Sequence, residues 1–185
     1  RIMKSKYTAD QFVPVISRMA GYFNDGTALG HGGRGRMAKM ENAEAAGKAG
    51  VQFLILDRPN PIRADRVDGG ILDMAFSSLV GLYPVALRYG FTPGELGRYL
   101  VGSGKMKTDI RVAPMQGYKR SMWFEETGLP WVNPSPNLRN VDASLLYTGT
   151  VFFEGVNVSE GRGTDAPFAQ AGAGWLTDAG AIAAE

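Results

Sequence analysis

Val51-Gln52-Phe53-Leu54-Ile55-Leu56-Asp57-Arg58-Pro59-Asn60-Pro61 decides how this chain is read. Its first part is nearly all apolar and starts just after Gly50. Such a run predicts a strand buried on both faces, as in a parallel sheet. Loops leaving the carboxyl ends of these strands are where α/β folds collect ligands. Asp57, Arg58 and Asn60 are therefore candidate binding residues. Pro59 and Pro61 restrict the backbone around Asn60, which holds its carboxamide in one direction. A fixed amide suits a hydroxyl or acetamido group of a sugar. The structural alternative is an Asp57–Arg58 pair that only pins a turn.

Outward from this stretch the signals alternate between helix and strand. Met37 to Ala49 is rich in Ala, Glu, Lys and Met with no β-branched residue, which predicts a helix that Gly50 ends. Residues 24–36 are Gly-rich and read as loop. Further upstream, Thr8-Ala9-Asp10-Gln11 forms a capping box ahead of Phe12, Ile16 and Met19 at helical spacing. Downstream, residues 58–73 read as a long connection, and Leu82 to Leu87 as a short edge strand containing Pro84. Thr92-Pro93-Gly94-Glu95 predicts a helix start with Thr92 as N-cap, and Leu96 and Leu100 supply its apolar side. Asp109 to Met115 predicts a strand. Residues 128–140, with Pro130, Pro134 and Pro136, predict an ordered loop. Val141 to Tyr147 reads as a short helix and Val151-Phe152-Phe153 as a strand. This alternation is that of an α/β protein.

Composition narrows the chemistry. The hydrophobic fraction of 44% is ordinary for a globular chain of 185 residues. Net charge is +2 with the basic residues scattered, so no stripe points to nucleic acid. Cysteine is absent, which excludes disulfides, thiolate zinc and a Cys nucleophile. The single histidine, His31, excludes a multi-His metal site. No apolar run approaches the roughly 20 residues that span a bilayer. The basic start Arg1-Ile2-Met3-Lys4-Ser5-Lys6 lacks the apolar core of a signal peptide.

Three further segments carry possible chemistry. Gly30-His31-Gly32-Gly33-Arg34-Gly35 matches G-x-G-x-x-G, and Asp57 lies near the distance expected of a ribose-binding acid. Turn-forming Asn24-Asp25-Gly26-Thr27 stands where the preceding strand belongs, so dinucleotide binding through Gly30–Gly35 remains an alternative with an incomplete fingerprint. Asn133-Pro134-Ser135-Pro136-Asn137 repeats the proline-framed pattern and presents Asn137, with Trp123 and Trp131 nearby in sequence. Indole faces stack on sugar rings, although at least one of the two is expected in the core. Last, Glu154, Glu160 and Arg162 form a dense charged group beside Gly161 and Gly163. Paired carboxylates serve glycoside hydrolysis, and an adjacent Arg keeps a carboxylate ionised. The alternative is a salt bridge that holds the loop. Glu125-Glu126 reads as an exposed pair.

Taken in order, several segments resemble the NamZ-type exo-β-N-acetylmuramidases. They are Met37–Gly47 with the strand into Asp57-Arg58-Pro59-Asn60-Pro61, Val80-Gly81-Leu82-Tyr83-Pro84, Leu87 through Leu96, Met122-Trp123, and Gly128-Leu129-Pro130-Trp131. Pro134-Ser135-Pro136-Asn137, Tyr147-Thr148-Gly149-Thr150, Glu154-Gly155-Val156-Asn157 and Ser159-Glu160-Gly161-Arg162-Gly163-Thr164 complete the series. The resemblance implies part of a Rossmann-like domain over residues 1–66 and a smaller mixed α/β domain over 67–185, with the site in the cleft between them. It implies removal of N-acetylmuramic acid from peptidoglycan fragments without metal or organic cofactor, in an extracytoplasmic setting. Under it, Asp57, Arg58, Asn60, Asn137, Glu154 and Arg162 bind the saccharide. Glu160 orients Arg162 or acts in catalysis. Residues 1–36 do not resemble the family's upstream sequence, and the Pro-Glu-His-Gly segment that carries its favoured catalytic acid is not found here. The portion beyond Trp175 reads as shortened. The expectation is a fragment or remodelled relative, with a non-catalytic sugar-binding module as the alternative function.

Overall fold

The first helix among the described residues, α1 (Gly33–Lys48), closes on Gly50 as expected. Gly50 takes φ +66°, its N–H bonds the Gly47 carbonyl, and Val51 N–H reaches back to Ala46. This crossed pair is a Schellman stop, and glycine adopts its left-handed residue without a Cβ penalty. The computed structural model describes residues 33–78, 81–178 and 180. The expected capping box at Thr8, the helix after it, and Gly30, His31 and Gly32 lie outside these residues. α1 begins at Gly33, inside the stretch expected as loop. Extending an existing helix adds hydrogen bonds without a new nucleation cost, and this outweighs glycine's low propensity.

Strand β1 (Phe53–Leu56) pairs in parallel with β4 (Ile110–Ala113), Phe53 opposite Ile110 and Leu56 opposite Ala113. β2 (Asp68–Ile71) and β3 (Ala86–Arg88) form a separate antiparallel pair. Between β3 and β4 runs α2 (Pro93–Gly102), and α3 (Val141–Thr150) follows β4 after a long ordered loop. The fold is α/β.

One core joins Met40 and Ala43 of α1, Phe53 and Ile55 of β1, Leu96 and Leu100 of α2, and Tyr83, Tyr89 and Met106 from the connections. Each large apolar side chain buried there contributes roughly 1.5–3 kcal/mol relative to exposure. β1 departs from the expected double burial: Leu54 and Leu56 are 45% and 48% exposed. Among the described residues the core covers only the Phe53 and Ile55 face, so an apolar run alternates in burial. Smaller clusters follow around Phe124 and Val141, and around Leu138, Ala143 and Phe168.

Local chemistry explains the helix starts. Thr92 accepts from Glu95 N–H while Glu95 accepts from Thr92 N–H, the reciprocal box read from the sequence. Asn140 caps α3 through Ala143 N–H. The expected strand Val151–Phe153 is instead a 3-10 turn, Val151–Gly155. Val151 keeps helical backbone and donates to the Tyr147 carbonyl, so the segment prolongs α3 and finds no strand partner.

Gly94 sets how closely α2 approaches the sheet. A Cβ there would meet Val112 Cγ1 at 2.6 Å and Asp57 Cγ at 2.8 Å. Gly94→Ala is expected to destabilise the fold by about 1–3 kcal/mol through overpacking. A lower urea midpoint with unchanged slope is the measurement that checks it.

Candidate functional site

The end of β1 is tied to α2 through Asp57. Its Oδ1 accepts from Gly94 N–H at 2.8 Å and from Arg58 N–H at 3.0 Å, and its Oδ2 accepts from Thr92 Oγ1 at 2.9 Å. A carboxylate at a helix N-terminus also meets the positive end of the helix dipole. Both oxygens are thus engaged within the protein, whereas a dinucleotide reading would have them meet a ribose. Arg58 follows at the strand's carboxyl end. Its Nε is buried and has no hydrogen-bond partner.

Asn60 is 2% exposed. Its Nδ2 donates to the Phe91 carbonyl at 3.0 Å and its Oδ1 accepts from Ile62 N–H at 3.1 Å. The carboxamide held rigid by Pro59 and Pro61 therefore points into the fold and shapes the loop that carries Arg58. Asn60 N–H donates to the Tyr118 hydroxyl at 3.3 Å. Burial pushes the Tyr118 phenol above its ordinary pKa. Arg120 reinforces the same corner, donating to the Ala64 and Gly90 carbonyls and pairing with Glu95. Tyr118 and Arg120 carried no sequence signal, because their partners are distant in the chain.

Glu154, Glu160 and Arg162 do come together. Arg162 Nε bonds Glu160 Oε1 at 2.6 Å, and its Nη2 bonds Glu154 Oε1. Bonding to Glu154 first, and to Glu160 as well, holds the guanidinium pKa above its ordinary value. The guanidinium lies 4.9 Å from the Phe168 ring centroid, a cation–π distance. Phe168 packs edge-on against Tyr147 of α3 at 4.8 Å and donates its N–H to the Glu160 carbonyl. Gly161, at φ +85°, has no room for a Cβ, which would lie 2.9 Å from the Ala166 carbonyl oxygen. The Ser159–Gly172 bridge closes the loop. Glu160 is buried, while Glu154 and Arg162 are exposed.

Asn137 sits half-buried in its proline-framed loop, its N–H 3.5 Å from Ser135 Oγ. Among the described residues, Asn137 and the Arg162 group stand on loops separate from the Arg58 turn and share no core cluster with it. Trp131 stacks edge-on against buried Phe124 at 5.1 Å, as expected of a core indole, whereas Trp123 lines an open cavity. Glu126 accepts from Trp123 N–H. Among the described residues no group of three His, Cys, Asp or Glu side chains is placed to hold a metal ion. No described helix is long and apolar enough to cross a membrane.

These loops, charged and framed by proline or glycine, stand on an α/β scaffold. The chain belongs to the exo-β-N-acetylmuramidase NamZ family: residues 37–142 match its N-terminal part and residues 145–185 its C-terminal part. It is 43% identical over 133 residues to the peptidoglycan β-N-acetylmuramidase NamZ of Bacillus subtilis (strain 168), a match covering 72% of this chain and 32% of that protein. It thus spans about a third of that relative. Two crystal structures of DUF1343 family proteins from Bacteroides fragilis NCTC 9343 are similar in fold. One is 36% identical with TM-score 0.65, covering 72% of this chain and 37% of its own. The other is 32% identical with TM-score 0.64, covering 68% and 34%.

Burial separates the two carboxylates of the Arg162 group. Glu160→Ala is expected to cost about 1–3 kcal/mol, the range for losing a hydrogen bond to a charged group in a buried place. Glu154→Ala is expected to cost about 0–1 kcal/mol, as exposed pairs do. Urea denaturation of the two variants distinguishes them. A raised phenol pKa favours the folded state until the unfolded tyrosine begins to ionise near pH ~10. Stability should therefore fall as pH rises beyond that point, and Tyr118→Phe should make the fall shallower in urea titrations across the alkaline range.

Proposed function

We infer that this chain carries part of the saccharide site of a glycosidase that acts on N-acetylmuramic acid ends of peptidoglycan fragments. The observation that carries this reading is the family match, which spans both the Arg58 turn and the Glu160–Arg162 loop. The named activity of the B. subtilis relative supports the same substrate class. Arg58, with its unpartnered Nε, and Arg162 are suited to the lactyl carboxylate, because a guanidinium fork pairs with a carboxylate in two-point geometry. Asn137 reaches hydroxyl or acetamido groups. Asp57 and Asn60 act indirectly, by fixing the strand end and the turn. Glu154 and Glu160 set the orientation of Arg162. Under this reading an extracytoplasmic setting, where peptidoglycan lies, suits the protein.

A second reading is a sugar-binding module without turnover. It is favoured by one observation: Glu154 and Glu160 both bond the Arg162 guanidinium, an arrangement that suits charge stabilisation better than proton donation. One experiment decides. The whole chain is offered a chromogenic N-acetylmuramic acid glycoside, and release of free sugar is followed beside binding of N-acetylmuramic acid by calorimetry. Turnover supports the glycosidase, saturable binding alone supports the module, and neither removes both. Arg162→Ala is expected to weaken binding about tenfold or more while leaving the fold in place. Unfolding of that variant with no effect on ligand would assign Arg162 to loop structure instead.

A further inference from the structure

β1 and β4 run parallel, so their carboxyl ends lie at one edge of the sheet. Asp57 N–H donates to the Ala113 carbonyl at 3.0 Å, which holds the two strand exits side by side. The crevice outside the carboxyl ends of parallel strands is where open α/β sheets bind ligands. Arg58 stands on the loop leaving β1. The loop leaving β4, residues 114–120, brings a second side chain to this edge, Tyr118.

The chain holds Tyr118 there from both sides. Gly117 takes φ +74°, a left-handed conformation that turns the loop at no Cβ cost. Asn60 N–H then donates to Tyr118 Oη at 3.3 Å, a bond between the two exit loops. Beyond it, the Arg120 carbonyl accepts from Ala64 N–H at 2.8 Å and Asp65 N–H at 3.2 Å. The Arg120 guanidinium donates in turn to the Ala64 and Gly90 carbonyls. Tyr118 is thus fixed relative to the turn that carries Arg58.

A phenol hydroxyl both accepts and donates. That of Tyr118 accepts from Asn60, and among the described residues no group accepts its proton. Burial is the main cause of its raised pKa; Glu95 and Asp57 add to the rise, while the Asn60 N–H and Arg120 oppose it. The group therefore stays protonated at neutral pH, a half-buried neutral donor whose hydrogen bond is costly to leave unmade. Arg58, two residues before Asn60, likewise has a buried Nε without a partner. One cationic and one neutral donor at adjacent strand exits suit a ligand that carries a carboxylate and a neutral oxygen. We propose that Tyr118 is a specificity-determining residue of the Arg58 site, its O–H donating to a neutral oxygen of the bound sugar while Arg58 takes the carboxylate. The identity of the ligand rests on the glycosidase reading.

Two measurements on the whole chain test the assignment. Calorimetry gives the Kd of N-acetylmuramic acid for the parent chain and for Tyr118→Phe. Carbon NMR follows the assigned signal of Tyr118 Cζ, the carbon that bears the hydroxyl, through the same titration of the parent. Tyr118→Phe is expected to raise Kd by about threefold to tenfold, the range for one neutral hydrogen bond. The Cζ signal is expected to shift and to saturate at the calorimetric Kd. Tyr118→Phe also takes the acceptor from Asn60 N–H, so a change in Kd alone does not separate ligand contact from loop position. The Cζ signal does, and it needs no variant to fold. An unchanged Kd in a folded Tyr118→Phe, or a Cζ signal that stays in place at saturating sugar, would overturn the proposal. A still Cζ signal together with binding that is lost in Arg58→Ala would confine Tyr118 to loop structure and leave the glycosidase site standing. No binding at all would remove both. Both expected results without turnover of the chromogenic glycoside would support the Tyr118 contact and remove the glycosidase reading in favour of the module.

Discussion

The Asp57 carboxylate fastens the carboxyl end of β1 to the first turn of α2, and the surrounding corner follows from that junction. It receives a helix N–H from Gly94 and the hydroxyl of Thr92, whose oxygen also caps Glu95. The bonds are charge-assisted and sit at the positive end of a helix, where a carboxylate is favoured. They require a close approach, and only a residue without a Cβ at position 94 permits it. With the junction made, Arg58 emerges at the strand end and Asn60 turns inward to Phe91 and Ile62. Glu95 closes the capping box with Oε2 and pairs with Arg120 through Oε1, and Arg120 clasps the neighbouring carbonyls.

The Arg162 group is organised by a different balance. Its two carboxylates come from a short stretch of chain, but the guanidinium is oriented by a ring from further on, Phe168. Phe168 adopts φ +63°, a strained conformation for an aromatic residue. Its N–H bond to Glu160, its packing on Tyr147 and the bond from Thr150 Oγ1 to its carbonyl offset that strain. The loop is therefore rigid without strand or helix of its own. A rigid loop can present a charge to a ligand at lower entropic cost than a mobile one.

Much of the scaffold was visible in the residue order because its signals are local. The Thr92-Pro93-Gly94-Glu95 cap, the Gly50 stop and the β1 run each depend on residues within a few positions of one another. β2 was not visible: Asp68-Gly69-Gly70-Ile71 has little strand propensity and forms by pairing with β3. Val151–Phe153 misled for the opposite reason, since β-branched and aromatic residues continued a helix that lay just before them. Leu54 and Leu56 misled as well, because an apolar run does not reveal how many faces of a strand will be covered.

By itself the sequence determined the α/β alternation, the capped start of α2, the polar turns at 57–61 and 157–164, and the ordered motifs that place the chain in its family. Tertiary structure alone decided where the polar groups point. It turned Asn60 into the fold, spent both oxygens of Asp57 on α2, and gathered Arg63, Arg66 and Arg88 around one cavity. The division has a physical cause. Caps and turns are satisfied by neighbours in the chain, whereas a carboxamide or guanidinium takes whichever partner packing brings to it, and some of those partners, such as Phe91 for Asn60 and Gly90 for Arg120, lie tens of residues away.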